Sequence, residues 1–330
     1  MTMNAIRVHE YGDADALHYE GGVPMPDIGP GEALIKVATA GINFIDVYVR
    51  SGVYKHSHTY KNTPPFVPGM EAGGTVEAVG EGVDNVKPGD RVAYCLVLGS
   101  YAEYAKVPAW RLVKIPDAID MDIAVTLMLQ GMTAHYLSHS LYELTPGKTA
   151  LIHAGAGGVG QLLTQMAKLR GARAITTVST PEKAEISRAR GGEPVIYRDV
   201  DFAEAVLEMT DGKGVDVVYD GVGQMTIAGS MKAAKRRGTI ALFGGASGSV
   251  KSINPLDLAE NGSLFITRPH LWDYTFDAAE IARRGKDLFG WVASGELSVT
   301  IDRTFPLADA TAAHTYLQEG KTKGKLLLSV

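Results

Sequence analysis

Thr149-Ala150-Leu151-Ile152-His153-Ala154-Gly155-Ala156-Gly157-Gly158-Val159-Gly160 is the stretch on which the reading of the fold turns. Thr149–Ala154 reads as a strand, and the segment from Val159 to Arg170 has helical spacing. Between them lies G-x-G-x-x-G, at Gly155, Gly157 and Gly160. The pattern alone is weak. A strand before it and a helix after it supply the context in which it binds a dinucleotide. On this reading Gly155 permits the tight turn, Gly157 lets the backbone approach a pyrophosphate, and Gly160 packs helix close to strand. The helix N-terminus presents N–H groups and a positive dipole end to the phosphates. Val159, Leu162, Leu163, Met166 and Leu169 form an apolar stripe, and Gly171 stands where a C-cap belongs. The plainer alternative is a glycine turn that only tightens a crossover.

Outward from this turn the chain alternates. Strands are expected at Ala174–Val178, near Val195–Tyr197, at Val215–Tyr219, Thr239–Phe243 and Ser263–Thr267. Helices are expected at Pro181–Arg190, Phe202–Met209 and near Thr226–Lys235. Such alternation predicts an α/β fold with a doubly wound parallel sheet. Before it, Asp122 to Ser140 reads as helix. Earlier still the chain is β-rich and punctuated by glycine, with strands at Ala33–Ala40 (ended by Gly41), Thr75–Val79 and Arg91–Tyr94, which suggests a compact barrel or sandwich. A helix at Ala278–Ser294 and a strand at Lys325–Ser329 are surplus to the parallel sheet, so the tail is expected to return to the first domain.

The composition is that of an ordinary globular protein: 330 residues, 45% hydrophobic and 21% charged. A length of this order suits about two domains. The net charge of −5 gives no footprint for nucleic acid or an anionic membrane. Cys95 is the only cysteine, which excludes an internal disulfide and a cysteine-rich zinc site. The N-terminus shows no apolar signal core, and no apolar run is long enough to span a bilayer. A cytoplasmic location is expected.

The second strand of the parallel sheet decides the cofactor. It ends Thr177-Val178-Ser179-Thr180, with no carboxylate at its tip to take a ribose 2′-hydroxyl. Ser179 leaves room for a 2′-phosphate and can donate to it, and Lys183, Arg188 and Arg198 are nearby cations. Lys183 can also be an ordinary solvated residue of a first turn, and Glu182 stands beside it. The pattern favours NADPH over NADH.

Several dispersed motifs in fixed order resemble the zinc-independent quinone oxidoreductases of the medium-chain dehydrogenase/reductase superfamily, the zeta-crystallin-like group. They include Gly41-Ile42-Asn43-Phe44-Ile45-Asp46-Val47-Tyr48, Pro68-Gly69-Met70-Glu71-Ala72-Gly73-Gly74, Gln130-Gly131-Met132-Thr133-Ala134, the glycine turn, Phe243-Gly244, Thr267-Arg268-Pro269 and Gly324-Lys325. The resemblance covers essentially the whole length. It implies a GroES-like catalytic domain split in sequence (1–124 and 271–330) and a Rossmann-type NADPH-binding domain (125–270). It implies that Asn43, Tyr48 and Thr133 meet the nicotinamide end and that Ala156 to Val159 hold the pyrophosphate. Ser179, Lys183 and Tyr197 would meet the adenosine 2′-phosphate and its ring, and Phe243, Gly244, Thr267 and Arg268 the cofactor's other side. The family usually has Asn before this tyrosine; here Ile196 runs straight into Tyr197. A homodimer joined along the edge of the nucleotide-domain sheet is also implied.

Zinc-dependent relatives carry Cys in the first site loop and His before the glutamate. Here the loop from Ile42 to Asp46 holds no thiol and the His position is Met70, so no three-ligand zinc site is expected. His56 and His58 form an H-x-H pair in a polar loop without an acidic partner, and the exposed-loop reading is preferred. Quinone reduction asks little beyond holding an electron-poor acceptor against the nicotinamide. Tyr48 is the candidate donor to the acceptor oxygen, with Asn43 orienting nicotinamide or acceptor; Tyr48 can equally be a packed aromatic of the wall. An enone or enoyl reductase on the same scaffold is the nearest rival. A non-catalytic NADPH-binding structural or RNA-binding protein is the rival of another class, disfavoured by the acidic charge balance.

Overall fold

The computed structural model describes residues 1–60 and 62–330, and its internal contacts divide it into two units. The first comprises Met1–Met132, Thr275–Gly295 and Val299–Val330; the second comprises Thr133–Tyr274 and Glu296–Ser298.

In chain order, β1 (Thr2–Arg7) and β2 (His18–Pro24) form an antiparallel pair. Then come β3 (Glu32–Ile42), α1 (Phe44–Arg50), β4 (Glu71–Val79), β5 (Arg91–Cys95), β6 (Tyr104–Pro108) and β7 (Val113–Lys114). A helical run follows: α2 (Met121–Thr126), a π turn (Leu127–Gly131), α3 (Met132–Tyr136) and a second π turn (Leu137–Leu141). The division between units falls inside this run, at 132/133. The parallel part is β8 (Thr149–Ile152), α4 (Gly158–Leu169), β9 (Arg173–Val178), α5 (Pro181–Ala189), β10 (Glu193–Ile196), α6 (Phe202–Met209), β11 (Val215–Asp220), α7 (Ile227–Ala233), β12 (Ala234–Leu242), α8 (Pro255–Glu260) and β13 (Phe265–Thr267). The tail is α9 (Ala278–Ala293), β14 (Ile301–Pro306), α10 (Ala310–Gln318) and β15 (Lys325–Ser329).

The second unit is a parallel sheet in the order β10-β9-β8-β11-β12-β13. β8 is the first strand of the sheet in sequence, and strand order reverses between it and β11. The carboxyl end of β8 is thus the switch point at which open α/β sheets bind ligands. Its core includes Leu151, Ile175, Val206, Val218 and Ile240, all fully buried. On α4 the expected stripe holds for Leu162, Leu163 and Met166, but Leu169 is 39% exposed. Gly171 takes φ +70° after the helix, as a C-terminal stop requires.

In the first unit the sheet runs β14-β15-β3-β4-β5-β7, with β6 also on β3. Gly41 does not end β3: the strand continues to Ile42, because Gly41 and Ile42 pair with Leu327 and Leu326 of β15. The last strand therefore returns to the first unit and extends the very strand that leads into α1. The helix expected to reach Lys235 stops at Ala233, because Ala234 pairs with Val215 and starts β12. Among the described residues, no helix is long and apolar enough to cross a membrane.

Candidate functional site

The glycine turn follows β8 and opens α4. Ala154, not a glycine, is its left-handed residue (φ +54°). Gly157 N donates to Ala154 O at 2.8 Å, and Gly155 N donates to Thr177 O at 3.0 Å. Glycine is needed here for closeness. A Cβ on Gly155 would stand 2.5 Å from Thr176 Cβ, and one on Gly160 would stand 2.3 Å from Ala154 O. Gln161 Nε2 pins the Ala156 carbonyl at 2.8 Å. The N-cap of α4 is Gly157, which brings no side-chain acceptor, so the first-turn amides of Gly158 and Val159 are available to an external anion. These features fit a dinucleotide pyrophosphate.

Around the turn stands a hydrogen-bond chain that no sequence motif announced. Asp220, fully buried at the end of β11, accepts from Val222 N, Gly223 N, Thr226 Oγ1 and Ser230 Oγ, all at 2.8–2.9 Å. Ser230 Oγ also meets His153 Nε2 at 3.0 Å, and His153 Nδ1 meets Thr177 Oγ1 at 2.9 Å. Because the Ser230 proton points to Asp220, His153 Nε2–H must donate to Ser230, and Nδ1 accepts from Thr177. Burial lowers the His153 pKa, with Asp220 acting in the opposite sense. The chain thus ties the ends of β8, β9 and β11 together beneath the turn.

At the tip of β9, Ser179 follows the last strand residue, and Thr180 caps α5 by accepting from Lys183 N at 3.3 Å. Tyr197 N donates to Val178 O at 3.1 Å, which sets the 45%-exposed Tyr197 beside the same tip. Ser179, Lys183 and Tyr197 are therefore brought together at the carboxyl ends of β9 and β10. At the other edge, Phe243 N donates to Asp220 O at 2.9 Å, and Arg268 Nη1 donates to Phe243 O at 2.7 Å. That bond links Phe243 and Gly244 to Thr267 and Arg268 across the ends of β12 and β13. Thr133 is buried in α3.

In the first unit, Asn43 caps α1 in a reciprocal capping box with Asp46. Its Nδ2 donates to Glu71 Oε2 at 2.8 Å, and its Oδ1 accepts from Lys325 Nζ at 2.8 Å. Lys325 Nζ lies 2.5 Å from Glu71 Oε2. Glu71 Oε1 accepts from Leu129 N at 2.6 Å, in the first π turn. Glu71 and Lys325 lie inside quoted motifs, but nothing in their sequence spacing pairs them. Tyr48 is half-buried on α1, its ring 6.2 Å from Phe44 and edge-on to Tyr54 at 5.8 Å.

Behind α1 runs a second buried relay. Arg50 Nη1 donates to His314 Nδ1 at 3.2 Å, so His314 Nε2–H donates to Tyr101 Oη at 3.0 Å, and Tyr101 donates to Asp46 Oδ2 at 3.2 Å. Burial pushes the Asp46 carboxyl up to about 7, against the hydrogen bond from the Asn43 backbone N–H and the Lys325 charge. Burial, with Arg50 nearby, pulls His314 down to about 3.

The residues present do not fit a zinc ion. Asn43 offers an amide already bonded at both ends, Met70 a buried thioether, and Glu71 a carboxylate neutralised by an ammonium. Among the described residues, no group of three His, Cys, Asp or Glu side chains is placed to hold a metal.

Residues 29–117 match the alcohol dehydrogenase GroES-like domain, and residues 158–270 match the family described as zinc-binding dehydrogenase. Together they define the medium-chain dehydrogenase/reductase class. The chain is 43% identical to a 2-haloacrylate reductase of a Burkholderia species, over 99% of both chains. It is 40% identical to a quinone oxidoreductase of Pseudomonas aeruginosa, over 98% of both. Its fold matches Escherichia coli quinone oxidoreductase complexed with NADPH at a TM-score of 0.94 and 37% identity, covering 99% of this chain and 100% of that one. The chain belongs to the zinc-independent quinone oxidoreductase family of that superfamily.

Proposed function

We propose that this protein reduces quinones with NADPH by direct hydride transfer and without a metal. The tip of β9 carries the reading: Ser179, Lys183 and Tyr197 gather there, and no carboxylate follows Val178 to compete with a 2′-phosphate. The turn from Gly155 to Gly160 takes the pyrophosphate at the N-terminus of α4. Phe243, Gly244, Thr267 and Arg268 line the cofactor's other side, and Thr133 serves its nicotinamide end. When bound, NADPH supplies the hydride. Tyr48 donates a hydrogen bond to the acceptor oxygen as negative charge develops there. Asn43, held rigidly, orients the nicotinamide or the acceptor. The protein works in the cytoplasm as a homodimer paired along β13, the terminal strand of its sheet, where Phe265 is 63% exposed.

One observation favours a second reading. A relative at 43% identity is a 2-haloacrylate reductase, named for an electron-poor alkene and not for a quinone. The same hydride delivery to an activated C=C bond needs only a different acceptor in place. Rates of NADPH and NADH oxidation with 1,4-benzoquinone, a linear enone and a 2-haloacrylate separate the readings. Fast NADPH turnover with the quinone is expected. Turnover with the alkenes alone would move the assignment to an alkene reductase, and binding without turnover would leave a non-catalytic NADPH-binding protein.

A further inference from the structure

Lys325 opens β15, the last strand of the chain, yet its ammonium reaches the loop that begins α1. Its side chain and that of Glu71 are both fully buried. The ammonium donates to Glu71 Oε2 and to Asn43 Oδ1, and Asn43 Nδ2 donates to the same Glu71 oxygen, closing a ring of three side chains. This ring settles which end of the Asn43 amide is which. An ammonium only donates and a carboxylate only accepts, so a flipped amide would satisfy neither. Glu71 is itself fixed, by Leu129 N on its other oxygen. Among the described residues, the remaining Nδ2 hydrogen has only a long contact, 3.4 Å, to Gly41 O.

Buried ion pairs are a poor source of stability, because desolvation offsets their attraction and apolar replacements often serve as well. What this pair supplies is orientation, and what it orients is Asn43. We propose that Lys325 is a positioning residue of the reduction site: through Glu71 and Asn43 Oδ1 it holds the amide so that its second Nδ2 hydrogen, held only loosely by Gly41 O, serves the nicotinamide or the acceptor. Lys325 touches neither, since none of its side chain is exposed. The inference rests on the reading of Asn43 as a ligand contact.

A double-mutant cycle tests it, with turnover of 1,4-benzoquinone at saturating NADPH and thermal midpoint measured on the full-length protein. Asn43→Ala and Lys325→Met should each lower kcat about tenfold, and the double variant should fall no further than about twofold below either. That non-additivity is what a merely structural lysine would not show. Multiplying losses in the double variant would overturn the proposal. Normal kcat in Lys325→Met beside a lowered Asn43→Ala would overturn it while leaving Asn43 in its role. Normal kcat in Asn43→Ala would overturn both. Should Lys325→Met not fold, Glu71→Gln/Lys325→Met, which leaves no uncompensated buried charge, takes its place in the cycle.

Discussion

Gly41 faces Glu71 so closely that a Cβ on Gly41 would stand 2.0 Å from the Glu71 Oε2 atom. The same Cβ would stand 2.9 Å from Lys325 Nζ. Neither group can retreat without breaking the buried pair. Gly41→Ala is therefore expected to cost about 3–5 kcal/mol, the scale of disrupting a buried ion pair. Urea unfolding measures this; a loss under about 1 kcal/mol would show that the pair has room the geometry denies.

Asp46 and His314, joined through the Tyr101 hydroxyl, make opposite contributions to the pH dependence of stability. The Asp46 carboxyl is raised to about 7, so between about pH 4 and 7 the folded state holds a proton the unfolded state lacks, and stability falls as pH rises. His314 is lowered to about 3, so between about pH 3 and 6.5 the unfolded state holds the extra proton, and stability rises with pH. Over pH 4 to 6.5 the two slopes cancel. Asp46→Asn should expose a rise of about 1.4 kcal/mol per pH unit, and His314→Asn a fall of similar size. Denaturant unfolding at several pH values tests this; variants as flat as the parent protein would contradict it.

Lys183 sits on the first turn of α5, beside Ser179 and Tyr197. Lys183→Ala should weaken NADPH binding about tenfold, near 1.4 kcal/mol, and leave NADH binding within about twofold. Fluorescence titration with each cofactor gives both numbers. Equal losses would remove Lys183 from 2′-phosphate recognition.

Phe265 is 63% exposed on β13, an edge strand of the parallel sheet. If two copies pair along that edge, Phe265→Glu places like charges face to face and should yield a monomer by light scattering at micromolar concentration. An unchanged dimer would put the interface elsewhere, and a parent protein that is already monomeric would remove it.

The parallel sheet was legible because its strand and helix periods alternate cleanly around one glycine turn. Phe202–Met209 and Lys325–Ser329 match expectation residue for residue. What escaped was set by partners distant in sequence. Gly41 looked like a strand end until β15, nearly three hundred residues on, supplied its ladder. The motif marks Gly155 as the residue that permits the tight turn, but it does not show that the left-handed backbone falls on Ala154 or that Thr176 leaves no room for a Cβ on Gly155. The His153–Ser230–Asp220 chain and the Glu71–Lys325 pair were equally hidden, since each joins residues from separate motifs.

The most direct test of metal-free hydride transfer is the rate of 1,4-benzoquinone reduction with NADPH deuterated at C4, on protein dialysed against a strong chelator. The account predicts undiminished activity after chelation and a rate with the transferred position deuterated that is slower by about twofold or more when hydride transfer limits a single turnover. Activity that vanishes with chelation and returns with zinc, or no cofactor oxidation at all, would contradict it.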